Sequence, residues 1–371
     1  MLKVEEASLS SRGQYSPRLA DGMRIVAGDE IPAAALDRFY ERMLPSRANF
    51  LERHRRWLYP TGDGVSARTP IAVMAEDRVV GHISIIPVTM RRGREARAVA
   101  LACDIAVIPE CRGKALGRSL FDAVRASCPL RIGFPNEMSG KVLNKLNWDS
   151  QRHILGLSLI LRPERHPKVR EISTGARGAH ALAATAGFAT RAISRACTWS
   201  RKSLSAGTAT AERLAVFSEE APAALHIARS TEFLRWRILD HPCAEEHVVL
   251  SLPNGGGERC SAIARVVDDN GCRRLHLLTL RNRSGRSGLS DFFAGVIRWA
   301  LDEDIHVISL VTSDPSVAAV AGRWLPISKR VAYAYDSDDP AGKEFLGGTD
   351  HIWEYIDGDF DLVYVSHRSP A

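Results

Sequence analysis

Long apolar runs are missing from this chain of 371 residues. No stretch approaches the roughly 20 apolar residues that a bilayer-spanning helix needs. The opening residues, Met1-Leu-Lys-Val-Glu-Glu, carry no apolar signal region, so no membrane span and a cytoplasmic setting are expected. Paired cysteines are missing as well. The seven (103, 111, 128, 197, 243, 260 and 272) are spread singly, with no Cys-x-x-Cys pair. An odd number without metal-ligand spacing reads as reduced thiols, mostly small buried hydrophobes. The twelve histidines form no His-x-x-x-His or His-Glu pattern, so no metal is expected. A general excess of positive charge is missing too, despite the net +7. Between Arg162 and Ala211 nine Lys or Arg stand against two Glu, and the remainder balances to zero. The basicity belongs to one segment, and no nucleic-acid partner is expected from it.

What is present is the balance of a globular protein, 45% hydrophobic and 25% charged, with length enough for two ordinary domains. Residues 1–22 read as a polar tail. Met23–Ala27 reads as a strand, 32–44 as a helix with Pro32 in its first turn, and Ile71–Ala75 with Val79–Val88 as a hairpin. Arg53–Tyr59 is basic and aromatic and precedes a Pro-Thr-Gly-Asp-Gly loop. His153–Leu161 supplies a later strand. Residues 163–211 form an Ala-rich basic connector in which Ala181, Leu182, Phe188, Ala192, Ile193 and Trp199 can share part of a helix face. A helix packed on one domain with a solvated basic face is the main reading there, and a membrane-surface or nucleic-acid role the alternative.

The central stretch runs from Val99 to Trp148. An apolar strand ending at Val107 is followed by a basic turn, Glu110-Cys-Arg-Gly-Lys-Ala-Leu-Gly117. Leu116, Leu120, Phe121 and Val124 then form a helical stripe. A second strand, Leu130–Phe134, leads through Pro135-Asn136 into another helix. The first N–H groups of a helix lack partners and the macrodipole favours an anion there, so a basic turn before a helix suits a phosphate. Gly113 lets the backbone approach a ligand.

The pattern Val107-x-Pro109-x-x-Arg112-Gly113-Lys114-Ala115-x-Gly117 resembles the acyl-CoA signature of the GNAT (GCN5-related) N-acetyltransferase superfamily, Arg or Gln, two residues, Gly, one residue, Gly or Ala. Arg112 and Gly117 match, and Ala115 stands where the family has its middle Gly, a change that calls for a negative φ. Gly133-Phe-Pro-Asn136, Ser139 and Asn147-Trp148 are similar to the second cofactor motif. The resemblance implies that the backbone of Ala106 and Val107 pairs with pantetheine, and that the amides of Arg112, Gly113, Lys114, Ala115, Leu116, Gly117, Arg118 and Ser119 hold the pyrophosphate. It also implies that Asn136 faces the pantetheine arm. Leu143 occupies the place where the family often has a Tyr acid, which leaves water or Tyr59 to protonate the leaving thiolate.

The second half repeats the pattern in weaker form. Phe233–Pro242 echoes Phe50–Pro60, strands and turns recur, and Trp324 follows Thr312 by the spacing that separates Trp148 from Asn136. The fold expected is α/β (α+β), two tandem GNAT-like domains of the FemAB-like kind, each a mixed twisted sheet flanked by helices. Residues 23–162 would bind acyl-CoA, and 212–371 would be a degenerate copy shaping the acceptor cleft. Its loop Arg281–Gly288 is basic and glycine-rich but lacks the signature spacing, and Asp357, Asp359 and Asp361 alternate near the end.

Acyl transfer needs a polarised carbonyl and a neutral amine. A primary alkyl amine has a pKa of about 10, so a base within reach helps. Asp104, a carboxylate in an apolar strand, is the base candidate, with a structural Asp as the alternative, and Glu137 is weaker. The expected activity is transfer from acetyl-CoA or another acyl-CoA to a primary amine of a small-molecule, amino-sugar or aminoacyl acceptor. Dependence on an acyl carrier protein, with the basic connector receiving it, and a non-catalytic CoA-binding role are the alternatives.

Overall fold

The computed structural model describes residues 19, 22–59, 69–173, 179–198, 204–218, 223–254 and 257–358. Most of the tail expected over 1–22, the Pro60–Gly64 loop, Trp199, Asp359 and Asp361 lie outside them. The first half runs β1 (Met23–Ala27), α1 (Ala33–Met43), α2 (Ala48–Leu58), β2 (Ile71–Ala75), β3 (Arg78–Arg92), β4 (Glu95–Val107), α3 (Leu116–Ser127), β5 (Leu130–Gly133), α4 (Glu137–Lys145) and β6 (Asp149–Ile160). The connector holds α5 (Pro167–Ser173) and α6 (Ala179–Thr198). The second half runs β7 (Ser205–Thr208), α7 (Ala211–Ala215), β8 (His226–Ile227), α8 (Thr231–Leu234), β9 (His247–Asn254), β10 (Gly257–Asp269) and β11 (Cys272–Asn282). It continues with α9 (Gly285–Asp302), β12 (Val307–Thr312), α10 (Pro315–Trp324), β13 (Ile327–Ser337) and α11 (Pro340–Leu346).

All the strands join one sheet, ordered β1-β2-β3-β4-β5-β13-β6-β12-β11-β10-β9-β7, with β8 on β3. The two halves exchange strands at its centre. β13, from the second half, lies antiparallel between β5 and β6. β6, from the first, lies antiparallel between β13 and β12. Each half thus completes the other's sheet, and a pseudo-twofold axis passes between β6 and β13. The repeated motifs meet across the halves. Trp57 and Trp236 have ring centroids 5.6 Å apart, and each indole N–H donates to the other's carbonyl, at 3.1 and 3.0 Å. An ion-pair cluster also crosses the β5–β13 seam, where buried Arg131 reaches Asp336 at 2.8 Å and Asp338 at 2.7 Å.

One hydrophobic core gathers α1, α2, α3 and β2–β5 and draws in Ile263, Val311, Tyr333, Phe345 and Trp353 from the second half. The predicted stripe Leu116, Leu120, Phe121 and Val124 is buried in it. Each such side chain contributes about 1.5–3 kcal/mol. The other core packs Leu289, Phe292, Phe293 and Val296 of α9 and Val317 of α10 against Leu157, Leu159, Leu275, Leu277, Ile308 and Leu310. Because strand side chains alternate, Gly156, Ser158, Val307 and Ser309 face the opposite side of the sheet.

The connector helix reverses one expectation. In α6 the large apolar residues Leu182, Phe188 and Ile193 point outward, between 64 and 74% exposed, and Gly187 and Thr198 are buried. A built Cβ on Gly187 would collide with Glu164 and Pro163, at 2.5 and 2.9 Å. Close approach here selects the smallest side chains over the most apolar ones.

Candidate functional site

β4 and β5 diverge. They pair in parallel only at Ala100↔Arg131 and Leu101↔Ile132, whereas β4 stays paired with β3 as far as Val107↔Gly81. Beyond Leu101 the β5-facing edge of β4 therefore borders a gap, which opens into a cleft of about 1230 Å³ lined by residues of both halves. A β-bulge shapes this edge. His82 opposes Ala106 and Ser84 opposes Cys103, so that Asp104 and Ile105 face one residue. Asp104 takes φ 51° there, in the left-handed region, and the bulge twists the strand end outward.

At the far end of β4 lies the basic turn. Gly113 has φ 82°, a conformation that suits glycine. Ala115 has φ 59° at the N-cap of α3. This corrects the expectation of a negative φ: the turn keeps the geometry a glycine would favour, at a cost of about 1 kcal/mol for the methyl group. No side chain caps α3. The amide of Ser119 bonds the carbonyl of Ala115 at 3.1 Å and that of Arg112 bonds Pro109 at 3.2 Å. Those two ends of the expected amide set are therefore engaged internally. The amides of Leu116, Gly117 and Arg118, the first turn, are the ones a helix leaves for an anion. Arg112 reaches back so that its Nε donates to the carbonyl of Val107, at 3.2 Å. Cys111 is buried.

Asn136 lines the cleft, with its side-chain oxygen already capping α4 through the amides of Met138 and Ser139, at 3.0 and 2.9 Å. Leu143 is buried in the core. Glu137 is exposed and pairs with Lys141 at 3.0 Å.

Asp104 sits at the cleft wall with partners the sequence did not announce. Its carboxylate forms an ion pair with Arg47, both side chains 5% exposed, and accepts from the hydroxyl of Tyr59. Its carbonyl accepts from Nδ1 of His82 at 2.9 Å. Nε2 of that ring then accepts from the hydroxyls of Tyr40 at 3.1 Å and Ser84 at 3.2 Å. Burial pushes His82 down to about 4, so the ring is neutral at physiological pH. Burial first and the Asp104 charge second hold the Tyr59 hydroxyl protonated, well above its usual range. His82, in the apolar run of β3, was the one member of this set with a visible sequence signal, a polar ring among Val, Ile and Gly.

The corresponding site of the second half is closed. β11 and β12 pair over four positions, Arg274↔Val307 to Leu277↔Leu310, and a bulge at Leu278 matches the one at Asp104. Beyond it the chain's own segment 351–357 fills the divergence. Glu354 bridges to Thr312 of β12, and its carboxylate accepts from the Leu280 amide at 2.8 Å and the Thr279 hydroxyl at 2.5 Å on β11. Arg229 pairs with Glu354 at 3.1 Å and Asp357 at 2.7 Å. Asp357 is therefore a buried member of an ion cluster. At the start of α9 the hydroxyl of Ser284 lies 1.8 Å from where a Cβ on Gly288 would be, so the first turn is filled from within.

Residues 34–146, which contain the bulge, the gap and the uncapped helix, match the acetyltransferase (GNAT) family. Over these residues this half is similar to the GNAT acetyltransferases. No curated protein matches the chain. Among solved structures, it is similar to N-myristoyltransferase from Saccharomyces cerevisiae with bound myristoyl-CoA, at 9% identity and TM-score 0.57 over 87% of this chain and 84% of that one. It is also similar to a GCN5-related N-acetyltransferase from Anabaena variabilis, at 10% identity and TM-score 0.52 over 86% and 74%. A conserved protein of Enterococcus faecalis described as a probable N-acyltransferase follows at 9% identity and TM-score 0.51, over 85% and 72%. At such identities the likeness is one of fold, and the fold shared is the tandem GNAT fold. The activity class that goes with the GNAT domain is acyl transfer. Among the described residues no helix is long and apolar enough to cross a membrane, and no group of metal-ligating side chains is found.

Proposed function

We propose that the protein moves an acetyl or other acyl group from an acyl-CoA to a primary amine that enters the cleft shared by the two halves. The observation that carries this reading is the open gap along β4 with an uncapped helix N-terminus at its end. The amides of residues 113–118, with Arg112 and Lys114 beside them, would hold the pyrophosphate, and the β4 edge at Ala106–Val107 would pair with the pantetheine arm. A backbone N–H on that edge would polarise the thioester carbonyl as the amine nitrogen attacks and the carbon–sulfur bond breaks.

Asp104 has a different role in this proposal from the base first expected of it. Both of its carboxylate oxygens are already engaged, one by Arg47 and the other by Tyr59. We assign it to positioning: it anchors the bulge that sets the direction of the Ala106 and Val107 amides. The ammonium proton then leaves to water in the open cleft. Tyr59, whose hydroxyl is committed to Asp104, does not serve the thiolate, and water protonates it.

Calorimetric titration with acetyl-CoA and with desulfo-CoA tests the reading, on the wild type and on Gly117→Glu. A Cβ on Gly117 meets nothing nearer than Val142 Cγ1 at 4.0 Å, so the variant folds while placing a carboxylate at the anion site. Micromolar binding by the wild type and a loss of at least about 100-fold, 2.7 kcal/mol, in the variant is expected. Absence of binding to the wild type overturns the proposal.

A further inference from the structure

The acceptor side of the cleft carries a charge pattern that narrows the substrate class. Two carboxylates line the cleft, Asp104 and Glu137, and each has its own cation, Arg47 and Lys141. Arg152 of β6 and Lys329 and Arg330 of β13 line it too, and no carboxylate of the described residues pairs with any of the three. All three are exposed. Lys329 is seated deliberately by the fold. It stands opposite Gly156 in the β6–β13 ladder, and a Cβ built on Gly156 would meet its Cε at 3.1 Å and its Cγ at 3.2 Å. The bare glycine leaves room for the alkyl chain to lie across the strand, and Ser158 and Ser309, whose hydroxyls are 3.4 Å apart, line the same cleft. Arg330 is draped along β6, its Nη1 donating to the carbonyl of Arg152 at 2.9 Å.

Strand register places Lys329 opposite the reacting edge. Ala334 of β13 is level with Gly133, where β5 ends, and Leu101 of β4 is level with Ile132. Moving from Ala334 back to Lys329 follows the same direction as moving from Leu101 to Ala106 and Val107. Lys329 and the Ala106–Val107 edge therefore face one another across the place β5 has vacated, at least two strand spacings, ~10 Å, apart. An amine at the thioester would have its far end among uncompensated positive charges.

We propose that Lys329 and Arg152 bind an anionic group, a carboxylate or phosphate, on the acceptor amine, so that the enzyme acylates short anionic amines in preference to neutral ones. This rests on the acyltransferase reading above. A cationic amine alone would be repelled from this wall, and an anionic group elsewhere on the same molecule offsets that repulsion and orients the nitrogen toward β4.

The test uses the full chain, with three probes: β-alanine for a carboxylate, phosphoethanolamine for a phosphate, and ethanolamine as the neutral-headed control. Binding of each is followed by calorimetry with and without saturating desulfo-CoA, on the wild type, Lys329→Met and Arg152→Gln. The expected result is that at least one anionic probe binds at millimolar concentration or tighter and ethanolamine does not. Affinity should drop about tenfold or more in each variant, decline with added salt, and leave the desulfo-CoA affinity unchanged. Which anionic probe binds more tightly assigns carboxylate or phosphate. Equal binding of all three, no binding of either anionic probe at 10 mM, or variants that keep the preference each overturn the proposal. A wild type that fails to bind desulfo-CoA yet binds an anionic probe would instead remove the acyltransferase reading and leave the anion site standing.

Discussion

The two halves of this molecule start from the same parts and end with opposite clefts. Both have a bulged strand, β4 at Asp104 in one and β11 at Leu278 in the other, and both have a helix that follows that strand without a side-chain cap. In the first half the strands part after two paired positions, and no segment of the described residues fills the gap. In the second they stay together for four, and Glu354 closes what remains by bonding both strands at once. The carboxylate takes up an amide and a hydroxyl that would otherwise be left for a ligand, and Arg229 neutralises it. The comparison teaches that a duplicated site is lost most simply by being filled: every polar group a cofactor would satisfy must find another partner. It follows that titration with acetyl-CoA should give one site per chain, and two sites would break the comparison.

The largest effect should come from the buried acids that anchor each cleft. Asp104→Asn leaves Arg47 without its anion and should destabilise the fold by about 3–5 kcal/mol. In stable conditions it should lower kcat without removing a limb of the pH–rate profile. Loss of the acidic limb would reinstate Asp104 as the base. The matching change in the closed cleft, Glu354→Gln, should cost less, about 1–3 kcal/mol, because Asp357 still pairs with Arg229. It should leave acyl-CoA affinity intact, and a second, weaker binding site appearing in that variant would sharpen the picture of Glu354 as the plug.

The next effect depends on pH. His82 is neutral in the fold, with a value lowered from 6.5 to about 4. A base whose folded value is depressed contributes stability that is fully present above about pH 6.5 and is lost as pH falls toward 4. The contribution at stake is on the order of 3 kcal/mol. Thermal unfolding followed between pH 7 and 4 should show this loss, and His82→Gln, tested side by side, should flatten it. An unchanged slope would detach His82 from the acid sensitivity of the open cleft. The smallest effect belongs to the turn. Ala115→Gly should stabilise the protein by about 1 kcal/mol by relieving the left-handed methyl, with acyl-CoA binding retained. A loss of stability would mean that unfolded-chain entropy outweighs the relief.

Much of the architecture was legible along the chain because it depends on local rules. The apolar run ending at Val107, the stripe from Leu116 to Val124 and the echo of Phe50–Pro60 in Phe233–Pro242 each state a period or a repeat, and neighbours in sequence carry it. The exposed face of α6 was misread for a physical reason. Hydrophobicity predicts which side chains gain from burial, but Gly187 against Glu164 and Pro163 shows that fit decided which face went in. The partners of Asp104 were beyond reach, since Arg47 and Tyr59 lie 57 and 45 residues away and no pattern links them.

By itself, then, the sequence determined the central strands and helix stripe and the basic turn before α3, products of local spacing, and the duplication, legible as a repeated motif. Only the tertiary structure decided which copy stayed open. It also decided that β6 and β13 would change places, and that Asp104 would be bound to Arg47 rather than bare. Those outcomes rest on contacts between segments up to two hundred residues apart. In such contacts a strand edge, a charge or a glycine acquires its role from what is brought against it.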